Sequence, residues 1–199
     1  MWRLGLKAHW NRDGQGSFRE WMAAHTGRLM MGNDGLKKAH ERAVGERFIR
    51  LYNCTVNRNF CLAELRERPD LEFSDAGTGD RLGVEIITGY YGQEHARRVW
   101  TDARGGREGD EPLEIKEPDA SLVNRILTKI AAKLGNSFEY PHPLVLVVDL
   151  APAQLTSASD FRQIVERLFF PQPPQYRGIY LLDWRDDLQP LYETQSDGA

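Results

Sequence analysis

The chain reads as a mixed α/β protein, a sheet with helices on its faces, and three observations lead there. Helical and period-two patterns alternate in the order helix, two or three meandering strands, helix, strand, helix, strand. Two short runs, Leu144 to Leu150 and Gly178 to Trp184, are almost wholly apolar, as strands buried on both faces are. An apolar hairpin between Pro69 and Thr88 holds two acids, Asp70 and Glu85, that such a hairpin does not need.

Each element follows from its residues. From Gly35 to Tyr52, Val44, Phe48 and Leu51 recur at i, i+4 and i+7, with Asp34 as the expected N-cap and Gly45 a slight weakness. Phe60 to Leu65 is a short strand. In the hairpin Leu71 and Phe73 alternate with Asp70 and Glu72, and Leu82, Val84 and Ile86 with Gly83, Glu85 and Ile87, around a turn rich in Gly and Asp. Gln93 to Ala103 is expected to be helical. The stretch 105–119 carries Glu108, Asp110, Glu111, Glu114, Glu117 and Asp119 among few apolar residues and reads as a mobile acidic loop. After Pro118 a helix from Ala120 to Asn136 places Leu122, Ile126, Ile130 and Leu134 on one stripe and stops near Gly135. Ser159 or Asp160 caps a further helix to Phe170, which the prolines at 171–174 end, and a last strand is expected at Leu191 to Glu193. Residues 1–34, with a short helix at Ser17 to His25, form an N-terminal extension to one domain over 35–195.

Composition narrows the function. A formal net charge of -3 excludes a protein that is basic all over and wraps nucleic acid electrostatically, leaving room only for a local basic face. Cys54 and Cys61 show neither CxxC spacing nor a matching His cluster, so zinc and disulfide frameworks are not expected. No apolar stretch approaches the roughly 20 residues that span a bilayer, and the N-terminus lacks a secretory core. A cytoplasmic protein with reduced thiols and no membrane partner is the expectation.

Asp70 and Glu85 can project from one face of a small sheet, where two carboxylates offer hard oxygen ligands to a divalent cation. Pro69-Asp70, the Leu-Gly-Val-Glu85 strand fifteen residues later and the Glu-bearing helix upstream resemble the PD-(D/E)xK nuclease-like superfamily. Within it, Arg68-Pro69-Asp70-Leu71 followed by Gly83-Val84-Glu85-Ile86-Ile87-Thr88 is similar to a group of small bacterial proteins, and the resemblance spans about 36–192. It implies a restriction-endonuclease-like core, α-β-β-β-α-β with flanking helices. It also implies Mg²⁺ or Mn²⁺ on Asp70, Glu85, the carbonyl of Ile86 and a helix glutamate, and hydrolysis of nucleic acid, DNA ahead of RNA. The other expectation is a catalytically inactive fold of this kind that binds nucleic acid or protein.

The pattern departs at one position. The lysine expected two residues after the second acid is Ile87. Related proteins with a displaced lysine take it from the next helix, which here offers Lys129 and Lys133. At about 100° per residue, Lys133 falls within roughly 20° of Ile126, inside the apolar arc, and Lys129 nearer its edge. Lys133 is favoured over Lys129, against the alternative of a lysine snorkelling from the rim. For the helix acid the resemblance favours Glu46, while periodicity puts Glu41 on the Val44 and Phe48 stripe. Glu72 is expected to face solvent or support the site, and Thr88 to end the strand. Gly77-Thr78-Gly79 joins two strands and reads as a turn, not a nucleotide loop. His142 lies between two prolines in a loop. Arg97, Arg98, Arg104 and Arg107, with Trp100, Tyr90 and Tyr91, read either as phosphate and base contacts or as a solvated basic helix offset by the acidic loop.

Overall fold

The computed structural model describes residues 2–4, 33–90, 92–103, 113–115, 118–136, 138–150, 166, 175–183 and 187–194. The expected helix at Ser17 to His25 lies outside these residues, as does the one at 159–170 apart from Glu166.

In chain order the elements are β1 (Trp2–Leu4), α1 (Asn33–Val56), β2 (Phe60–Leu65), β3 (Leu71–Asp75), β4 (Arg81–Thr88), α2 (Gln93–Ala103), β5 (Leu113–Ile115), α3 (Pro118–Gly135), β6 (Leu144–Asp149), β7 (Gly178–Leu182) and β8 (Leu188–Glu193). Six strands form one mixed sheet in the order β2-β3-β4-β6-β7-β8. The pairs β2–β3, β3–β4 and β7–β8 are antiparallel, and β4–β6 and β6–β7 are parallel. The two apolar runs are the parallel pair β6 and β7, which are buried along their whole length on both faces.

Period two decides what each face buries. Leu71, Phe73, Leu82, Val84, Ile86, Val145 and Val147 pack with Ala43, Val44 and Phe48 of α1. Their neighbours Ile87, Leu144, Leu146, Val148, Ile179 and Leu181 pack with Leu122, Val123, Ile126 and Ile130 of α3. The result is three layers, with α1 and α3 on opposite faces of the sheet.

Gly45 has a purpose that helix propensity hides. A Cβ there would lie 2.2 Å from Leu71 Cδ1 and 3.3 Å from Phe73 Cζ, so glycine lets α1 settle directly on β3. The turn at 76–80 is held by Asp75, whose Oδ1 accepts from the N–H groups of Gly77 and Thr78 at 2.8 and 3.2 Å, with Gly79 at φ +75°. The Asn59 N–H, then those of Gly77 and the Arg58 guanidinium, hold the Asp75 carboxyl down at about 2.

Two expectations are corrected here. Asp34 lies within the first turn of α1, since the helix begins at Asn33 and runs on to Val56. The acidic stretch 105–119 is not wholly a loop: Leu113–Ile115 pairs antiparallel with Trp2–Leu4 in a separate two-stranded sheet, and Pro118 already opens α3, at a position that has no need of an N–H.

Candidate functional site

The β3–β4 ladder ends at the pair Leu71↔Val84, so Asp70 and Glu85 are the next residues outward on neighbouring strands. Beyond that point the Asp70 side chain replaces the missing strand. Its Oδ2 accepts the Ile86 N–H at 2.8 Å. A strand residue presents its N–H and C=O to the same side, so the Ile86 carbonyl also leaves β4 towards Asp70. Glu85 alternates with Val84 and Ile86 and therefore stands on the α3 face.

Both acids are buried, Asp70 at 8% exposure and Glu85 at 3%. Burial pushes the Asp70 carboxyl up to about 6. The charges of Glu41 and Glu85 add to the rise, and the Ile86 N–H and Lys133 oppose it. The Tyr176 phenol, fully buried, is raised first by burial and then by the negative charge of Glu85, with Asp70 contributing. Tyr176 thus borders the acids from the segment before β7, which no sequence pattern signals.

α3 supplies the cation. Lys133 Nζ forms a hydrogen-bonded ion pair with Glu85 Oε2, its side chain one-third exposed while Glu85 is covered. Lys129 does not join the acids. Its Nζ donates to the Thr88 carbonyl at 2.5 Å and lies 5.0 Å from the centre of the Tyr90 ring, which puts it one turn away, past the end of β4. Burial, and then the charge of Arg125, lower its pKa. Thr88 ends β4 as expected and serves as this anchor. Ile87 packs into the α3 core, so a lysine in its place would have to push through that helix interface.

Of the two helix acids, the structure places Glu41 beside Asp70, and not Glu46, which the resemblance favours. Glu46 is exposed on α1 and held by Arg42 at 2.8 Å. Glu41 is 8% exposed, contributes negative charge at Asp70, and pairs with Lys37 at 3.2 Å, raising the lysine's pKa. Helical periodicity points to the same residue. Lys37, Glu41, Ile86, Lys129 and Lys133 line one cleft between α1 and α3.

Glu72 does not face solvent. It is 1% exposed, and its carboxylate accepts from Arg66 Nη1 at 2.6 Å, from Arg81, and from the Tyr140 hydroxyl at 2.9 Å. Burial opposes ionisation, but these three donors outweigh it and hold the carboxyl below its usual value. The Tyr140 ring comes this close because residue 83 is glycine: a Cβ there would lie 2.5 Å from Tyr140 Cε1 and 2.9 Å from Pro69 Cγ. Alternation of Asp70 with Glu72 is the available signal for this second acid.

The described part of the arginine-rich helix α2 is laced by its own ion pairs. Arg97 and Arg98 bond Glu94, Tyr90 is 8% exposed, and Trp100 meets His40 edge-on at 5.4 Å. Tyr91, Arg104 and Arg107 lie outside the described residues.

Among the described residues, no group of three or more His, Cys, Asp or Glu side chains is arranged to hold a metal ion. The donor set at the open end of the ladder is smaller: Asp70 and Glu85, near enough for one charge to act on the other, with the Ile86 carbonyl directed between the strands. That set fits Mg²⁺, which takes one or two carboxylates and leaves the rest of its shell to water and phosphate. No helix among the described residues is long and apolar enough to cross a membrane. No family model, curated protein or solved structure matches the chain.

Proposed function

We propose that the protein is a metal-dependent nuclease with a restriction-endonuclease-like core, hydrolysing phosphodiester bonds of DNA in preference to RNA. The observation that carries the reading is the buried pair Asp70 and Glu85 at the open end of the β3–β4 ladder, with Lys133 closed over Glu85. Two adjacent buried carboxylates cost folding free energy unless a cation neutralises them, and such cost concentrates at functional sites.

Asp70, Glu85 and the Ile86 carbonyl would hold Mg²⁺ or Mn²⁺, which would polarise the phosphate and lower the pKa of the attacking water. The remaining roles fall to the chain. The Ile86 N–H fixes the orientation of the Asp70 carboxylate. Lys133, whose side chain is one-third exposed, would leave Glu85 for a phosphate oxygen and stabilise the charge that builds there. Glu41 would orient a water or the cation's outer shell from α1.

The second reading, a binding module without catalysis, draws on Ile87, which leaves the strand with no cation at the usual place. Incubation of purified protein with single- and double-stranded DNA and RNA, with Mg²⁺ or Mn²⁺, separates the two. Cleavage that Glu85→Gln abolishes supports the nuclease, and binding without any cleavage supports the module.

A further inference from the structure

The segment joining α3 to β6 brings three rings together at alternate positions, Phe138, Tyr140 and His142. Ring centres are 6.5 Å apart from Phe138 to Tyr140 and 5.5 Å from Tyr140 to His142, with planes inclined at 52° and 80°. None of the three is fully buried.

Guanidinium groups run beside the rings. Arg68 lies 6.0 Å over the Phe138 ring. Arg66 and Arg81 flank Tyr140 through the shared Glu72. Arg81, His142 and Arg177 line one cavity at the far end. Against these four arginines stand Glu72, buried and bonded to Arg66 and Arg81, the exposed Glu64, Glu67 and Glu139, and Asp80, which lines the same cavity and is held by Arg58. The row starts from the Lys133 end of α3: Gln175 bridges the Lys133 carbonyl, at 3.4 Å, and the Phe138 N–H, at 3.2 Å. It then passes over Gly83, two residues before Glu85 on the same face of β4.

We infer that this row of alternating rings and guanidinium groups is a track for single-stranded nucleic acid, leading away from Asp70 and Glu85. Rings interleaved with arginines recognise bases by stacking and backbone by charge. The spacing selects the form of the ligand. Ring steps of 5.5–6.5 Å exceed the about 3.4 Å rise per nucleotide of a duplex strand, and the planes are tilted. Bases stacked one on each ring would be splayed from one another, an arrangement open to a single strand and closed to a paired duplex. The inference rests on the nuclease reading for the kind of ligand, and adds that the ligand is a single strand or an unpaired end.

The test is fluorescence anisotropy with a labelled single-stranded oligonucleotide and the same sequence as a duplex, in EDTA so that nothing is cut. Wild type is expected to bind the single strand at least about tenfold more tightly than the duplex. Phe138→Ala combined with His142→Ala should weaken single-strand binding about tenfold or more, the scale of one or two bases left unstacked. Arg68→Gln with Arg177→Gln, both exposed positions that put the fold at little risk, should lower the salt slope by about 0.7 for each phosphate no longer neutralised. Equal binding of duplex and single strand, or unchanged binding by both double variants, overturns the track. Calorimetry with Mn²⁺ on the same variants keeps the two readings apart. Retained Mn²⁺ binding with abolished oligonucleotide binding supports the track, whereas oligonucleotide binding without Mn²⁺ binding sinks the nuclease and leaves the track standing.

Discussion

Lys133 and Glu85, forty-eight residues apart in sequence, meet as an ion pair at the open end of the β3–β4 ladder. In the proposed nuclease, Lys133 and the metal ion would compete for this one carboxylate.

That competition gives a prediction with two opposite signs. Lys133→Met should bind Mn²⁺ severalfold more tightly in calorimetry, because the carboxylate loses its rival, while cleavage falls about 10²–10³-fold, the scale set by removing a charge-stabilising group. Lys129→Met, whose parent side chain is committed to the Thr88 carbonyl and the Tyr90 ring, should change Mn²⁺ affinity by less than about threefold, with stability lowered by at most about 1 kcal/mol. Equal effects at the two lysines would refute the assignment to Lys133.

The two helix acids separate in the same assay. Glu41→Gln is expected to weaken Mn²⁺ binding, since its charge reaches Asp70, and Glu46→Gln to leave it unchanged, since that carboxylate is committed to Arg42. A loss of affinity confined to Glu46→Gln would reverse the reading of α1.

Asp70 sets a pH dependence for the metal-free protein. Its carboxyl is at about 6 in the folded chain against 3.8 for the unperturbed group, so the native state holds the proton longer than the unfolded one. Stability from this group falls as pH rises from about 4 through 6 and stays low above. Asp70→Asn keeps an acceptor for the Ile86 N–H, and should raise thermal stability at pH 7 by up to about 3 kcal/mol, an advantage that vanishes below about pH 4. Thermal melts in EDTA at a series of pH values measure this, and a gain independent of pH would contradict it.

His95 acts with the opposite sign. Burial lowers its pKa to about 4 from 6.5, so the unfolded chain takes up the proton first. The stability it contributes is complete above about pH 6.5 and is lost as pH falls through 4. His95→Gln should flatten the acid limb of the same melts by up to about 3 kcal/mol.

Gly45→Ala tests packing against propensity. Alanine favours an isolated helix by about 1 kcal/mol, but its Cβ would stand 2.2 Å from Leu71 Cδ1, a side chain with no exposed surface into which it could turn. Overpacking of this kind costs about 1–3 kcal/mol, so the substitution should lower the denaturant midpoint. An unchanged or raised midpoint would mean that α1 lifts from β3 without cost.

How far the sequence carries depends on whether local pattern or tertiary structure decides each feature. The strands β3, β4, β6 and β7 and the helix α3 follow from period and apolar runs, and the structure moves their ends by only a few residues. Lys133 is legible because a helix converts spacing into angle, so a lysine near the Ile126 direction has to face the sheet. Glu41 is legible on the same ground, while resemblance pulls towards Glu46, which faces solvent. Gly45 reads as a weak point and Gly83 as one position of an alternating strand, though each is small because a particular ring or side chain lies against it. Tyr176 and the partners of Glu72 are illegible, because they arrive from chain segments whose approach only the assembled sheet determines.

The pairing of α1 with the end of β6 carries one more consequence. His40 Nε2 lies 3.3 Å from Asp149 Oδ2 and Arg47 Nη1 3.8 Å from Asp149 Oδ1, all three buried, while Arg47 also donates to the Asp183 carbonyl at 2.7 Å. A hydrophobic interface tolerates sliding, but a buried charge stripped of its partners does not. The polar cluster at Asp149 thus indexes the helix to the sheet along its axis, and Glu41, next in sequence to His40, inherits its position from contacts made at the end of β6.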